Sequence, residues 1–150
     1  MGQLAHYTAD LANPFHLTRD YDGQSTGQSG IHHRYEEGLV ERFEGNLVVS
    51  LWGRRGGSPP AADDPLAAAF GLMAGAGAEV RHALDADLRA SQCCGLETDR
   101  YWKEMWTALA SPLTEQLTRG ALLTAAIWQG AYERAGSPVL DADAPALGPR

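Results

Sequence analysis

Along this chain apolar residues recur at intervals of three or four, and no stretch of convincing length alternates apolar with polar. That period belongs to helices with one buried face, so the predicted fold class is all-α, a bundle of helices packed on one another. Proline and glycine divide the runs. Gly2 to Ala12 reads as a helix that stops at Asn13-Pro14, because a residue before proline avoids helical geometry. The polar, glycine-rich run from Asp22 to Gly30 reads as an exposed connection. A second helix is expected from Ile31 to Leu51, with Tyr35, Leu39, Phe43, Leu47 and Leu51 on one side. Gly53 to Pro60 breaks the chain again, and Asp63-Asp64-Pro65 caps an alanine-rich helix running to about Gln92. Thr98 to Leu109 reads as an aromatic helix. Ser111-Pro112 should then start another, with Leu113, Leu117, Thr124, Trp128 and Ala131 on one stripe and its end at Gly136. No internal repeat is present.

At 150 residues and 44% apolar content the chain suits a single domain. A domain of this length buries roughly two-thirds of the surface of its unfolded chain, so it requires no disulfide framework. The two cysteines, Cys93 and Cys94, are adjacent. Neighbours neither bridge without strain nor match a zinc spacing, so both read as structural. A net charge of −7 argues against a broad footprint for duplex DNA or an anionic membrane surface, and points to a small substrate. No segment has the length of a transmembrane helix or the charged and apolar regions of a secretory signal. Because Gly2 to Ala12 reads as a helix interior without a capping residue, the chain is expected to begin in mid-domain.

The chemistry lies between His6 and His33, where four of the five histidines fall. His6 and Asp10 are four apart on the first helix, His16 follows the Pro14 turn, and His32 and Glu36 repeat the four-residue spacing on the second helix. Residues four apart leave one face of a helix and can meet one cation. Imidazole nitrogen and carboxylate oxygen suit zinc, which in catalytic sites takes three protein ligands and keeps a position for water. His33 with Glu37 offers the same spacing as His32 with Glu36, and spacing alone does not choose between them. His82, without a carboxylate pattern nearby, reads as a solvated or locally satisfied histidine.

The segments HYTADLANPFH and GIHHRYEE resemble the ligand region of zinc-dependent phospholipases C and of the related single-strand nucleases of the P1 type. The family pattern, H-x-x-x-D-x-x-x-x-x-H and then H-x-x-x-E or H-x-x-x-D, falls on His6, Asp10, His16, His32 and Glu36. The family's H-x-x-Y-E falls on His32 to Glu36, which favours His32 over His33. The run from Ser111 to Gly136 is similar to the family's final helix, whereas Arg54 to Gly95 matches weakly. The resemblance implies a helical, zinc-dependent hydrolase of phosphate esters with up to three zinc ions. Asp10 would bridge two metals and act in catalysis, His6 would bind one of those two, and His16, His32 and Glu36 would hold the third. Glu36, and the lack of a Gly-Gly-Asn signature, favour the phospholipase-like bacterial branch. A small phosphodiester or phospholipid is the implied substrate. Secretion or a periplasmic location is implied if an upstream signal is missing.

The family's remaining ligands lie upstream of its His-x-x-x-Asp segment, so the chain should correspond to the second half of the family domain. It would keep one complete three-ligand site and part of a two-metal centre. It is accordingly expected to bind about one zinc and to hydrolyse a chromogenic phosphodiester weakly or not at all. Three other readings stand beside this one: a single-strand nuclease-like phosphodiesterase, a noncatalytic helical domain stapled by zinc, and a helix-bundle interaction module with incidental histidines.

Overall fold

The helical expectation holds in the computed structural model, which describes residues 2–54 and 61–139; every regular element among them is helical. Helix α1 (Gly2–Ala12) ends at Asn13-Pro14 as anticipated, and a 3-10 turn, Pro14–Leu17, follows at once. The second helix is present but interrupted. It runs as α2 (Ile31–His33), a π turn (Arg34–Gly38), α3 (Leu39–Arg42) and α4 (Glu44–Gly53), with the backbone leaving helical geometry at Phe43, φ −118° and ψ 22°. Its own spacing supplies the reason. Residues four apart overshoot a full α-helical turn by about 40°, so an unbroken helix would carry Leu39, Phe43 and Leu47 progressively off the core. The wider π turn and the break at Phe43 absorb that drift. Tyr35, Leu39 and Leu47 are all buried, and Phe43 stacks on Trp106 with ring centroids 4.4 Å apart.

Two further boundaries differ from expectation. The alanine-rich segment forms two helices, α5 (Pro65–Ala78) and α6 (Val80–Cys94), parted at Glu79, where α5 has just passed through the poor helix formers Gly71, Gly75 and Gly77. Its predicted start is observed: Asp64 Oδ1 accepts hydrogen bonds from the Leu66 and Ala67 amides, each 3.0 Å. The opposite error occurs at Ser111-Pro112, which starts no new helix. Helix α7 (Asp99–Arg134) runs through Pro112 without interruption for 36 residues. An interior proline costs about 3 kcal/mol. The buried stripe continues across it through Met105, Leu109, Leu113, Gly120 and Leu123, and each large apolar side chain there contributes about 1.5–3 kcal/mol. Packing therefore outweighs the lost hydrogen bond. Of the expected stripe, Leu113 and Thr124 are buried, while Leu117, Trp128 and Ala131 are exposed. The helix closes where predicted, with Gly136 at φ 83° beyond its end.

The main core gathers Phe15, Ile31, Tyr35, Leu39 and Leu47 against alanines of α6 and the large residues of α7 from Tyr101 to Leu113. A smaller cluster of Ala12, Leu72 and Leu123 joins α1, α5 and the second half of α7. The connection from Asp22 to Gly30 is not wholly exposed, since Gln28 is buried and donates to Leu84 O at 2.8 Å and Asp87 Oδ2 at 2.7 Å. Cys93 and Cys94, expected not to bridge, are joined by a disulfide. They are the last two residues of α6, followed by Gly95 at φ 78°, so no further helical turn confines their side chains. Most of the expected break from Gly53 to Pro60 lies outside the described residues. No described helix is long and apolar enough to cross a membrane.

Candidate metal centre

The 3-10 turn begins with a cap: Asn13 Oδ1 accepts the Phe15 amide at 3.0 Å, and Pro14 fills the first helical position, where no N–H is needed. Phe15 is fully buried and lies edge-on to Tyr35, centroids 5.4 Å apart. With Phe15 locked inward, its neighbour His16 is turned outward toward α2. Helix α2 is fixed at its start by Asp22, whose Oδ2 accepts the Gly30 amide at 3.0 Å and whose Oδ1 lies 3.4 Å from the His32 amide. Gly30 has φ 87°, a conformation that favours glycine, and this turns the loop into the helix.

These two anchors bring His16, His32 and Glu36 together, with one ligand atom from each lying within 4.8 Å of the others. Glu36 Oε2 is the focus. It lies 2.8 Å from His32 Nε2 and 3.4 Å from His16 Nε2, and the two imidazole rings meet edge to face at 4.8 Å. Ligands at about 2.0–2.2 Å from a tetrahedral zinc stand roughly 3.3–3.6 Å apart; the 3.4 Å between His16 and Glu36 already fits, and a small opening of the 2.8 Å His32–Glu36 pair would let all three bind one ion. The donor set, two imidazoles and a carboxylate, is one that zinc accepts. His33 takes no part. Its Nδ1 faces Glu37 at 3.4 Å on the open surface, with 69% of its side chain exposed against 25% for His32.

Asp10 and His6 occupy a different place from the three-ligand group. Asp10 Oδ1 lies 3.6 Å from His16 Nδ1, the ring nitrogen turned away from Glu36, and Asp10 Oδ2 lies 3.4 Å from His6 Nε2. A carboxylate behind the second nitrogen of a metal-binding imidazole fixes the ring's orientation and raises its basicity. In this structure Asp10 stands where such an orienting group would stand. His6 is the outermost member, with a side chain 73% exposed. His82 does have a carboxylate neighbour, Glu79 Oε2 at 3.1 Å, three residues back on the adjoining turn.

The site includes one residue that the sequence reading used only as a helix stop. Asn13 Nδ2 donates to Glu36 Oε2 at 3.0 Å and lies 3.4 Å from His32 Nε2. Its side-chain oxygen is committed to the cap, which leaves the amide nitrogen facing the ligands. An asparagine preceding Pro14 as a cap was the available signal; the partner of its free nitrogen depends on a chain crossing that spacing does not reveal.

Behind the ligands the π turn is tied into the core. Arg34, between His32 and Glu36, is buried with its Nε donating to Asp87 Oδ1 and to Tyr101 Oη, each at 3.0 Å. Tyr101 Oη also donates to the same Asp87 oxygen, and the remaining Arg34 nitrogens donate to Ser29 O and Gln28 O. Burial opposes the charge on Arg34, but the hydrogen bond and charge of Asp87 prevail and raise its pKa. Gly38 completes the turn at a point where the Trp102 ring lies against the backbone and leaves no room for a Cβ. Set against models of protein families, curated proteins and solved structures, the chain matches none.

Proposed function

We propose that this chain carries a zinc site of a phosphoric ester hydrolase, similar in its ligand pattern to the phospholipase C and P1 nuclease group. The observation that carries this reading is the convergence of His16, His32 and Glu36 from two elements that the resemblance had paired. Three protein ligands leave a tetrahedral zinc one position short, as catalytic sites require. Bound there, zinc would supply a Lewis acid for a phosphoryl oxygen and lower the pKa of a coordinated water. The protein's share is to hold the ion and orient His16 through Asp10. Its net charge of −7 favours a small substrate over duplex nucleic acid.

In this reading the role of Asp10 differs from the bridging one that the resemblance implies. Asp10 serves this site as an orienting carboxylate, and its bridging of a second metal would need ligands beyond His6; among the described residues His16, His32 and Glu36 are the one such group. Inorganic phosphate and bis(4-nitrophenyl) phosphate test the reading together. Phosphate should bind the zinc-loaded protein and not the zinc-free protein, while the diester should be turned over weakly, in step with zinc content. Zinc held without any affinity for phosphate would leave a noncatalytic staple and overturn the hydrolase reading.

A further inference from the structure

Cys93 and Cys94 close a disulfide between neighbours, at the point where α6 ends and the chain turns toward α7. A disulfide stabilises mainly by closing a loop in the unfolded chain, and a bridge between adjacent residues closes the shortest loop, so it adds least to stability. The joint is held without it. Gly95 turns the chain at φ 78°. Thr98 Oγ1 lies 3.0 Å from Cys94 O and 3.2 Å from Gly95 O as a donor, and accepts the Tyr101 amide at 3.1 Å. What neighbouring sulfurs gain is reversibility. When the bridge opens, the peptide bond between the two residues keeps both sulfurs together, so closure proceeds at a high effective concentration.

The two cysteines differ in their surroundings. Cys94 is half-buried and packs against the main core, whereas Cys93 is exposed and lines a cleft of about 260 Å³ between α6 and α7. That volume is below the range of about 300–1,000 Å³ usual for drug-sized ligands, and suits a smaller molecule. Arg89 on α6 and Glu104 on α7 line the same cleft, and neither side chain has a hydrogen bond or ion pair among the described residues.

We propose that the bridge between Cys93 and Cys94 is a thiol–disulfide exchange site, and that its substrate is a small amino-acid thiol of the cysteine type, docked in this cleft. The substrate's carboxylate meets Arg89 and its ammonium meets Glu104. The thiolate of a first molecule attacks Cys93 Sγ, the S–S bond breaks, and Cys94 Sγ leaves with the electron pair and takes up a proton from water. A second thiolate then attacks the substrate sulfur of the mixed disulfide and releases Cys93 as a thiolate. Two small thiols are thereby oxidised to one disulfide while the protein's bridge is reduced to two thiols, and the reverse sequence closes it. No residue of the metal cluster takes part.

The test mixes the oxidised protein with L-cysteine at neutral pH without denaturant, and traps thiols by alkylation for intact mass measurement. Both cysteines should become alkylated, and added cystine should abolish the labelling, with the helical circular dichroism unchanged throughout. Replacing Arg89 and Glu104 together by glutamine should slow reduction by cysteine about fivefold, as two surface ion pairs imply, and leave reduction by uncharged mercaptoethanol unchanged. Cystine should form a mixed disulfide at Cys93 in Cys94→Ser about tenfold faster than at Cys94 in Cys93→Ser, because access governs the attack. A bridge that stays closed to cysteine until the fold is denatured would overturn the proposal, and that result needs no variant. So would a double substitution that slows both thiols alike or neither, or capture at Cys94 as fast as at Cys93.

Discussion

Two polar clusters grow from the same eight residues, Ile31 to Gly38, and they are opposite in kind. On the inner side Arg34, Asp87, Tyr101 and Gln28 close on one another, and their principal charged and polar atoms find partners. On the outer side His32 and Glu36 meet His16 and Asn13 at the surface, with half of the Glu36 side chain exposed. One is a finished knot. The other presents nitrogen atoms and a carboxylate at spacings close to those of ligands on one cation. Some polar residues thus hold this fold and others are held by it: the inner knot fixes the π turn, and the turn sets the outer ligands.

Breaking the inner knot should have the largest effect. Asp87→Ala leaves Arg34 buried and uncompensated, and should cost about 3–5 kcal/mol in chemical denaturation. Replacing Arg34 and Asp87 together by apolar residues of similar volume should recover most of that loss, since the pair's own desolvation then disappears. A double variant as unstable as the single one would show that the knot contributes more than charge neutralisation.

The outer cluster should respond to metal in the opposite sense. At zinc concentrations about a hundredfold above the dissociation constant the folded state should gain about 2.7 kcal/mol, and a chelator should reverse the gain. Asn13→Ala should act at both levels but less strongly. Losing the cap should lower stability by about 1 kcal/mol, and releasing Glu36 should weaken zinc binding about tenfold. Full zinc affinity in that variant would reduce Asn13 to a cap.

The smallest effect concerns alkaline pH. Burial raises the Tyr35 hydroxyl above its ordinary pKa, with the charge of Glu79 adding to the shift. Burial, together with Asp87, raises Tyr101 likewise. The unfolded chain then ionises first, so this contribution is whole below about pH 10 and is lost as pH rises toward the folded value. Tyr35→Phe should flatten the decline in melting temperature above that pH, whereas an unchanged slope would assign it to Tyr101.

How much of this was legible in the sequence depended on whether the cause was local. The Asn13-Pro14 stop, the Asp64 cap and the Gly136 end rest on the chemistry of one or two residues, and all three appear as expected. Pro112 misled because its local preference was overridden by burial on both sides, which only the packed bundle reveals. The helix from Ile31 to Leu51 carried its own warning, a strict four-residue repeat that a 3.6-residue helix does not sustain. At the candidate site, spacing left His32 and His33 undecided, the resemblance grouped His16 with His32 and Glu36, and the fold brings those three together. The neighbour that distance in the chain concealed, Asn13 on Glu36, comes from a crossing that no periodicity records.

In the proposed reading the outer cluster is one metal site in a single register. Equilibrium dialysis against zinc, with metal analysis of the unaltered protein, His32→Ala and His33→Ala, tests it most directly. The unaltered protein and His33→Ala should each retain about one zinc per chain, the number that three ligands on one ion imply, and His32→Ala should retain none. Equal losses from the two substitutions, or no zinc in the unaltered protein, would contradict it.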